Sequence, residues 1–176
     1  MPPLQVLEGR SCGSCTLCCK VMKIAEIDKP PGRWCADCRP GAGCAIYPQR
    51  PAECRDFTCA FLTNPDLGED WRPDRAKLVV TLEGDGRMVA VHVDASQPDG
   101  WRRRPFLDKI KQWARLAERD DRLVLVRIGH RALVVFPDSE FDLGPMEEGD
   151  RIGARRRMTH AGPRREAFRI PRDEPI

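Results

Sequence analysis

The run Cys12-Gly13-Ser14-Cys15-Thr16-Leu17-Cys18-Cys19 opens a stretch that continues through Cys35, Cys38 and Cys44 and closes on Cys54 and Cys59. All nine cysteines of the 176-residue chain lie inside it, and none in the remaining two-thirds. Isolated structural cysteines behave as small buried hydrophobes and have no reason to gather at short repeated spacings. Disulfide cross-linking or thiolate ligation of metal would gather them. The N-terminal residues show no basic region followed by an apolar one. No secretory signal is read, and the expected compartment is the cytoplasm, where thiols stay reduced. Nine is also odd, which forbids complete pairing within one chain. Both points favour metal. Disulfides return as the alternative if the chain is a mature form whose signal has been removed.

The spacing leaves the metal open. Cys-x2-Cys is the short loop that sets two sulfurs on one zinc ion, and Cys12/Cys15 and Cys35/Cys38 are two such pairs. Cys12-x2-Cys15-x2-Cys18 equally matches the first three ligands of many iron–sulfur clusters. Cys18 and Cys19 are adjacent, so their side chains diverge on a strand and sit about 100° apart on a helix. If both ligate, they are expected to serve different ions. The candidate ligands are Cys12, Cys15, Cys18, Cys19, Cys38, Cys44, Cys54 and Cys59, with Cys35 as the expected surplus sulfur. More than one centre is expected, holding zinc or an iron–sulfur cluster.

Two blocks, Cys12-Gly-Ser-Cys-Thr-Leu-Cys-Cys19 and Cys44-Ala-Ile-Tyr-Pro-Gln-Arg-Pro-Ala-Glu-Cys54-Arg-Asp-Phe-Thr-Cys59, carry a resemblance. The stretch resembles the YkgJ-type family named for its CxxCxxCC motif, whose members chelate zinc or iron. Trp34-Cys35-Ala-Asp-Cys38 looks like the family's variable middle cysteines. The likeness covers roughly the first sixty to seventy residues and implies metal chelation at the matched cysteines. One branch is associated with lysine N-methylation of flagellin, and there the cysteines hold an iron–sulfur cluster. That activity is not carried over, because nothing after Phe61 supplies a second catalytic module.

The organisation follows from composition and periodicity. Only 6% of residues are aromatic, and the first sixty hold few large apolar side chains besides the cysteines. Residues 1–63 are therefore read as an irregular, metal-stabilised cysteine-rich region in which Cys54 to Leu62 forms one short helix. Residues 64–75 read as a connector. Residues 76–176 read as an α+β region. Leu78, Val80 and Leu82 alternate, Gly84-Asp85-Gly86 turns, and Val89, Val91 and Val93 alternate back, a β-hairpin. Phe106, Leu107, Ile110, Trp113, Ala114 and Ala117 mark one face of an amphipathic helix from Pro105 to Glu118. Residues 122–128 and 131–136 form a second hairpin about Gly129-His130. The sum is an antiparallel sheet with one amphipathic helix on it. Beyond Pro137 the pattern is less regular. Gly149 to Ile152 is read as opening a further strand, and the last dozen residues as frayed.

Other residues carry a plain and a sharper reading. Tyr47, Arg50 and Pro51 shape the loop between ligands, with Arg50 or Arg55 donating to thiolates. Asp56 is a candidate base beside a metal, with a local cap or an arginine partner as the plainer role. His92 is a satisfied strand histidine, His130 an exposed turn residue and Trp113 core. His160 is unassigned. The arginines at 102–104 and 155–157 read as solvated faces, with phosphate binding as the minority role. No P-loop, dinucleotide fingerprint, Ser/His/Asp arrangement or His-Glu-x-x-His is found. The net charge of +3 permits nucleic-acid contact without demanding it. The longest plainly apolar runs, such as Ala132 to Phe136, are too short to span a bilayer. Three functions compete: a cytoplasmic metal-binding module with a possible protein partner, a metal-cluster redox or methyl-transfer enzyme, and a zinc-ribbon-like nucleic-acid binder. Contiguous arginines across one face with exposed aromatics would favour the last.

Overall fold

The computed structural model describes residues 5–160 and 162–174, without the side chain of Pro163. The chain is α+β, with short helices early, a five-stranded sheet in the middle and a separate hairpin at the end.

The cysteine-rich part is built from brief turns. A one-turn helix, α1 (Cys18–Val21), is followed by the two-residue strands β1 (Cys38–Arg39) and β2 (Gly43–Cys44), which pair antiparallel. Two further short helices follow, α2 (Ala52–Asp56) and α3 (Ala60–Thr63). The single helix expected over Cys54 to Leu62 is thus broken at Phe57, whose backbone is extended. The break has a packing reason. A continuous helix would put Cys59 on the face opposite Phe57 and Phe61. With the break, Phe57, Cys59 and Phe61 all pack into one core.

Between Lys29 and Cys59 no residue is buried. The flanks behave differently. Leu17, Val21, Phe61 and Leu62 join the main core. So do Leu67 and Trp71 from the residues read as a connector, where Leu67 is fully buried. Trp71 meets the Phe106 ring edge-on at 4.9 Å and the Trp113 ring at 5.2 Å. Helix α4 (Pro73–Ala76) then leads into the sheet.

The sheet holds β3 (Leu78–Glu83), β4 (Met88–Val93), β5 (Leu123–Ile128), β6 (Arg131–Val135) and β7 (Glu140–Pro145), in that order across it. The amphipathic helix is α5 (Phe106–Arg119), between β4 and β5. The expected antiparallel sheet needs one correction. β4 and β5 run parallel, with Met88 opposite Leu123 and Val93 opposite Ile128, while the other three pairs are antiparallel. The helix explains this: a long crossover returns the chain to the same end of the sheet, whereas a two-residue turn reverses it. Gly129, at φ 58°, supplies the left-handed residue that such a turn needs between β5 and β6.

Each face of the sheet is covered. Phe106, Ile110, Ala114 and Ala117 of α5 pack on one, with Val91, Val93, Val124, Val126, Leu133 and Val135. The other carries Ala90, Leu125 and Val134, over which Phe136 and Ala167 lie. Ala167 belongs to the last hairpin, β8 (Arg151–Thr159) and β9 (Gly162–Ile170). Of the dozen residues expected to fray, 165–170 are ordered strand, 171–174 are not, and 175 and 176 lie outside the described residues. Burying a second sheet face accounts for the ordered strand, through Ile152 and Ala167.

Candidate functional site

The fold draws the nine cysteines, all free thiols, into two groups. Backbone contacts set the framework. The N–H of Cys15 bonds the carbonyl of Cys12 at 2.8 Å, closing the first Cys-x2-Cys loop. The Cys38 N–H bonds the Cys35 carbonyl at 3.1 Å, closing the second. The Cys35 N–H reaches the Cys19 carbonyl at 2.9 Å, and Cys38 is the strand partner of Cys44. The N–H of Ala25 reaches Glu53 Oε2 at 2.7 Å, while the N–H of Glu53 reaches Glu26 Oε2 at 3.2 Å. That reciprocal pair docks α2, and Cys54 with it, beside the loop that follows α1.

The first group is Cys12, Cys15 and Cys59. Burial pushes the Cys15 thiol above its ordinary value. The Leu17 N–H opposes that rise, and the nearby Asp74 carboxylate and Cys12 thiol add to it. Burial likewise raises Cys59; the N–H groups of Leu62 and Phe61 oppose it, and Cys12 and Cys15 reinforce it. N–H groups aimed at a sulfur favour its ionised form, so both thiols are set against dipoles that suit a thiolate. Arg10 fixes this corner by donating to the carbonyls of Phe61, Asn64 (2.9 Å) and Leu67 (2.7 Å).

The second group is Cys18, Cys19, Cys35, Cys38, Cys44 and Cys54. Cys19 is driven up first by its hydrogen bond with Cys18, then by burial, with Cys38 and Lys29 acting the other way. The adjacent thiols of Cys18 and Cys19 thus lie near enough to oppose each other's ionisation. Cys38 is pushed up to about 12 by burial, then by Cys19, with Cys35 adding to it and the Thr16 hydroxyl opposing. Burial also raises Cys54, and Cys19, Cys35 and Cys44 add to it.

A lysine sits among these sulfurs. Lys29 is 6% exposed, and its ammonium donates to the carbonyls of Lys20 (3.0 Å) and Met22. Burial lowers its pKa, and Cys19, Cys35, Cys18 and Cys54 work to raise it. No spacing or motif marks Lys29, Arg10 or Thr16, because each acts through a contact that only the folded loop creates.

Among the described residues, no three His, Cys, Asp or Glu side chains are set to hold a metal ion as they stand. The donor chemistry suits a thiophilic metal, and the thiols lie near enough to oppose one another's ionisation.

The remaining candidates fall elsewhere. Arg50 and Arg55 donate to backbone carbonyls, not to thiolates: Arg50 to Tyr47 (3.1 Å) and Cys54 (3.4 Å), Arg55 to Arg50 (2.9 Å). A guanidinium in a turn finds the carbonyls left open there before it finds a sulfur. Arg50 also stacks on Tyr47, 3.9 Å from the ring centroid. Asp56, His130 and His160 are exposed, and Trp113 packs against the core from a half-buried position. His92 is buried and lies 3.0 Å from the Thr81 hydroxyl and 3.1 Å from Glu83. Glu83 in turn accepts from Arg127 at 2.9 Å. Burial alone would raise the Glu83 carboxyl, but His92 and Arg127 hold it down at about 2.

No helix among the described residues is long and apolar enough to cross a membrane. Comparison with protein-family models, with curated proteins and with solved structures finds no match.

Proposed function

We propose that this protein is a cytoplasmic metal-binding protein of the CxxCxxCC type, holding zinc or an iron–sulfur cluster at two groups of cysteines. Cys12, Cys15 and Cys59 would serve one centre. The other would draw its ligands from Cys18, Cys19, Cys35, Cys38, Cys44 and Cys54. The resemblance of the two cysteine blocks to YkgJ-type proteins supports the same reading.

The observation that carries it is the gathering of thiols distant in sequence, Cys12 with Cys59 and Cys19 with Cys54. Gathered thiols oppose one another's ionisation and so stay protonated in a metal-free protein. A bound cation reverses that sign and deprotonates the sulfurs outright. Lys29 fits the same logic, as a fixed positive charge beside a site whose ligands are anionic.

The emptiness of the core between Lys29 and Cys59 points the same way. A segment that buries no side chain there gains little to offset its chain entropy, on the order of 1–2 kcal/mol per ordered residue. Metal ligation supplies folding free energy directly, about 10–16 kcal/mol for structural zinc in small peptides. Bound zinc would provide a redox-silent cross-link, and an iron–sulfur cluster would add electron transfer.

Anaerobic purification, elemental analysis and an absorption spectrum test the proposal. We expect at least two zinc ions per chain in a colourless sample, or iron and sulfide with visible absorption that air bleaches. A metal-free protein with all nine thiols free or disulfide-bonded, and an unaltered circular dichroism spectrum, overturns it.

A further inference from the structure

The last hairpin concentrates charge in a way that metal binding does not use. From Arg151 to Ile170 there are seven arginines against one glutamate, a balance of +6. The whole chain carries +3, so the rest carries −3. The cationic surplus of the protein is thus confined to one ribbon.

The ribbon's register shows how that charge is presented. Residues directly opposite one another share a face. Arg155 faces Glu166, Arg156 faces Arg165, and Arg157 faces Arg164. Two consecutive cross-strand pairs are therefore arginine on arginine. Like charges directly opposite destabilise a strand pair, so the folding of the hairpin gives no reason for them. Arg165 is restrained: it pairs with Asp121 at 3.1 Å and lies over the Phe136 ring. Arg156 and Arg164 are exposed and have no acidic partner among the described residues. Arg155 and Arg157 share a single carboxylate, Glu166, at 3.4 and 3.3 Å, and their side chains are 63% and 64% exposed. One carboxylate between two guanidinium groups leaves a net positive charge.

The ribbon also projects. Ile152 and Ala167 anchor its base on the sheet, while residues 154–160 are exposed throughout. Phe168 remains partly exposed on the outer face, with Arg155 stacked 5.3 Å from its ring centroid. The Phe168 ring crosses β8 at Gly153, where a Cβ would lie 2.5 Å from it, so this face requires the glycine.

We propose that this arginine ribbon binds double-stranded DNA through its phosphate backbone, with Arg155, Arg157 and Arg164, which share the face of Phe168, as the contacts. A two-stranded ribbon fits the major groove of B-form DNA, whereas the A-form groove of duplex RNA is deep and narrow. Phe168 is one aromatic, not the series of stacking platforms that single-strand binding relies on. A phosphate polyanion relieves the opposed pair Arg157 and Arg164 that the free ribbon leaves in repulsion.

The test uses the 176-residue chain as isolated and a fluorescein-labelled DNA duplex of about 20 base pairs and arbitrary sequence, read by anisotropy between about 50 and 200 mM salt. The expected result is binding at the lower salt that weakens steeply as salt rises. Each phosphate contact contributes about −0.9 to the slope of log K against log salt. The combined change Arg155→Gln, Arg157→Gln and Arg164→Gln should therefore flatten the slope by about 2.7. The corresponding three arginine-to-lysine changes should retain it. Unchanged circular dichroism and metal content in both variants separate a lost contact from a lost fold. No binding at the lower salt overturns the proposal whatever the variants do. An undiminished slope in the glutamine variant, or tighter binding to duplex RNA, single-stranded DNA or phosphatidylserine vesicles than to duplex DNA, overturns it as well.

Discussion

Replacing Trp71 with alanine probes whether the cysteine-rich part and the sheet share one core. Trp71 is 5% exposed and contacts both Phe106 and Trp113 of α5. Its cluster also includes Leu17, Val21, Cys59 and Phe61. Truncating a buried tryptophan to alanine costs about 3–5 kcal/mol, transfer and cavity terms together. Two lost ring–ring contacts, each about 0.5–1.5 kcal/mol beyond area burial, place this site near the upper end. At about 2–4 °C per kcal/mol for a chain of this size, the melting temperature should fall by about 8–20 °C. Far-ultraviolet circular dichroism follows the sheet and α5, and a thiol reagent follows the cysteines during the same urea titration. Both signals should shift together, because the side chain joins the two regions. A loss under about 1 kcal/mol, or thiols that loosen while the sheet transition stays in place, would refute the reasoning and mean two independent cores.

Chelation under reducing conditions should open new protease cuts between residues 30 and 56, where nothing is buried, and leave the sheet signal in place; an unchanged digest would show that metal does not hold this segment. Cys59→Ser and Cys54→Ser should each remove metal from one group and spare the other, with a smaller loss for Cys35→Ser, whose group has six thiols; elemental counting decides, and a variant that loses all metal would merge the two centres. Glu83→Gln should cost about 1–2 kcal/mol at neutral pH, discounted for the partial exposure of Glu83. Its folded pKa is depressed to about 2, so the stabilisation is present above the ordinary carboxylate value and is lost as pH falls towards 2. Urea midpoints of variant and wild type should therefore converge in acid, and a constant gap down to pH 2 would exclude Glu83 as the titrating group.

The local elements were legible in the sequence because their signals are local. Alternation at Val89, Val91 and Val93 marks β4, and the helical spacing from Phe106 to Ala117 marks α5. The turn at Gly129 follows from the left-handed backbone that glycine allows. The density of cysteines between Cys12 and Cys59 likewise singles out that stretch before any fold is considered.

Tertiary structure decided what depends on distant partners. The pairing of β4 with β5 is parallel because α5 lies between them, and periodicity carries no strand direction. Beyond Ile152, where a strand is read to open, the stretch to Ile170 alternates too weakly to read as strand, yet it completes the longest hairpin of the described residues by covering the second face of a sheet built earlier in the chain. Spacing offered Cys12 and Cys15 as a pair, but Cys59 joins them only because a break after α2 turns it inward. Lys29 reaches the second thiol group only because its loop returns the chain beside Ile24. A sequence pattern records what each residue prefers of its own backbone and near neighbours. Which sulfurs share a site, and which face of a ribbon meets solvent, depend on closures between residues far apart in the chain, and packing fixes those.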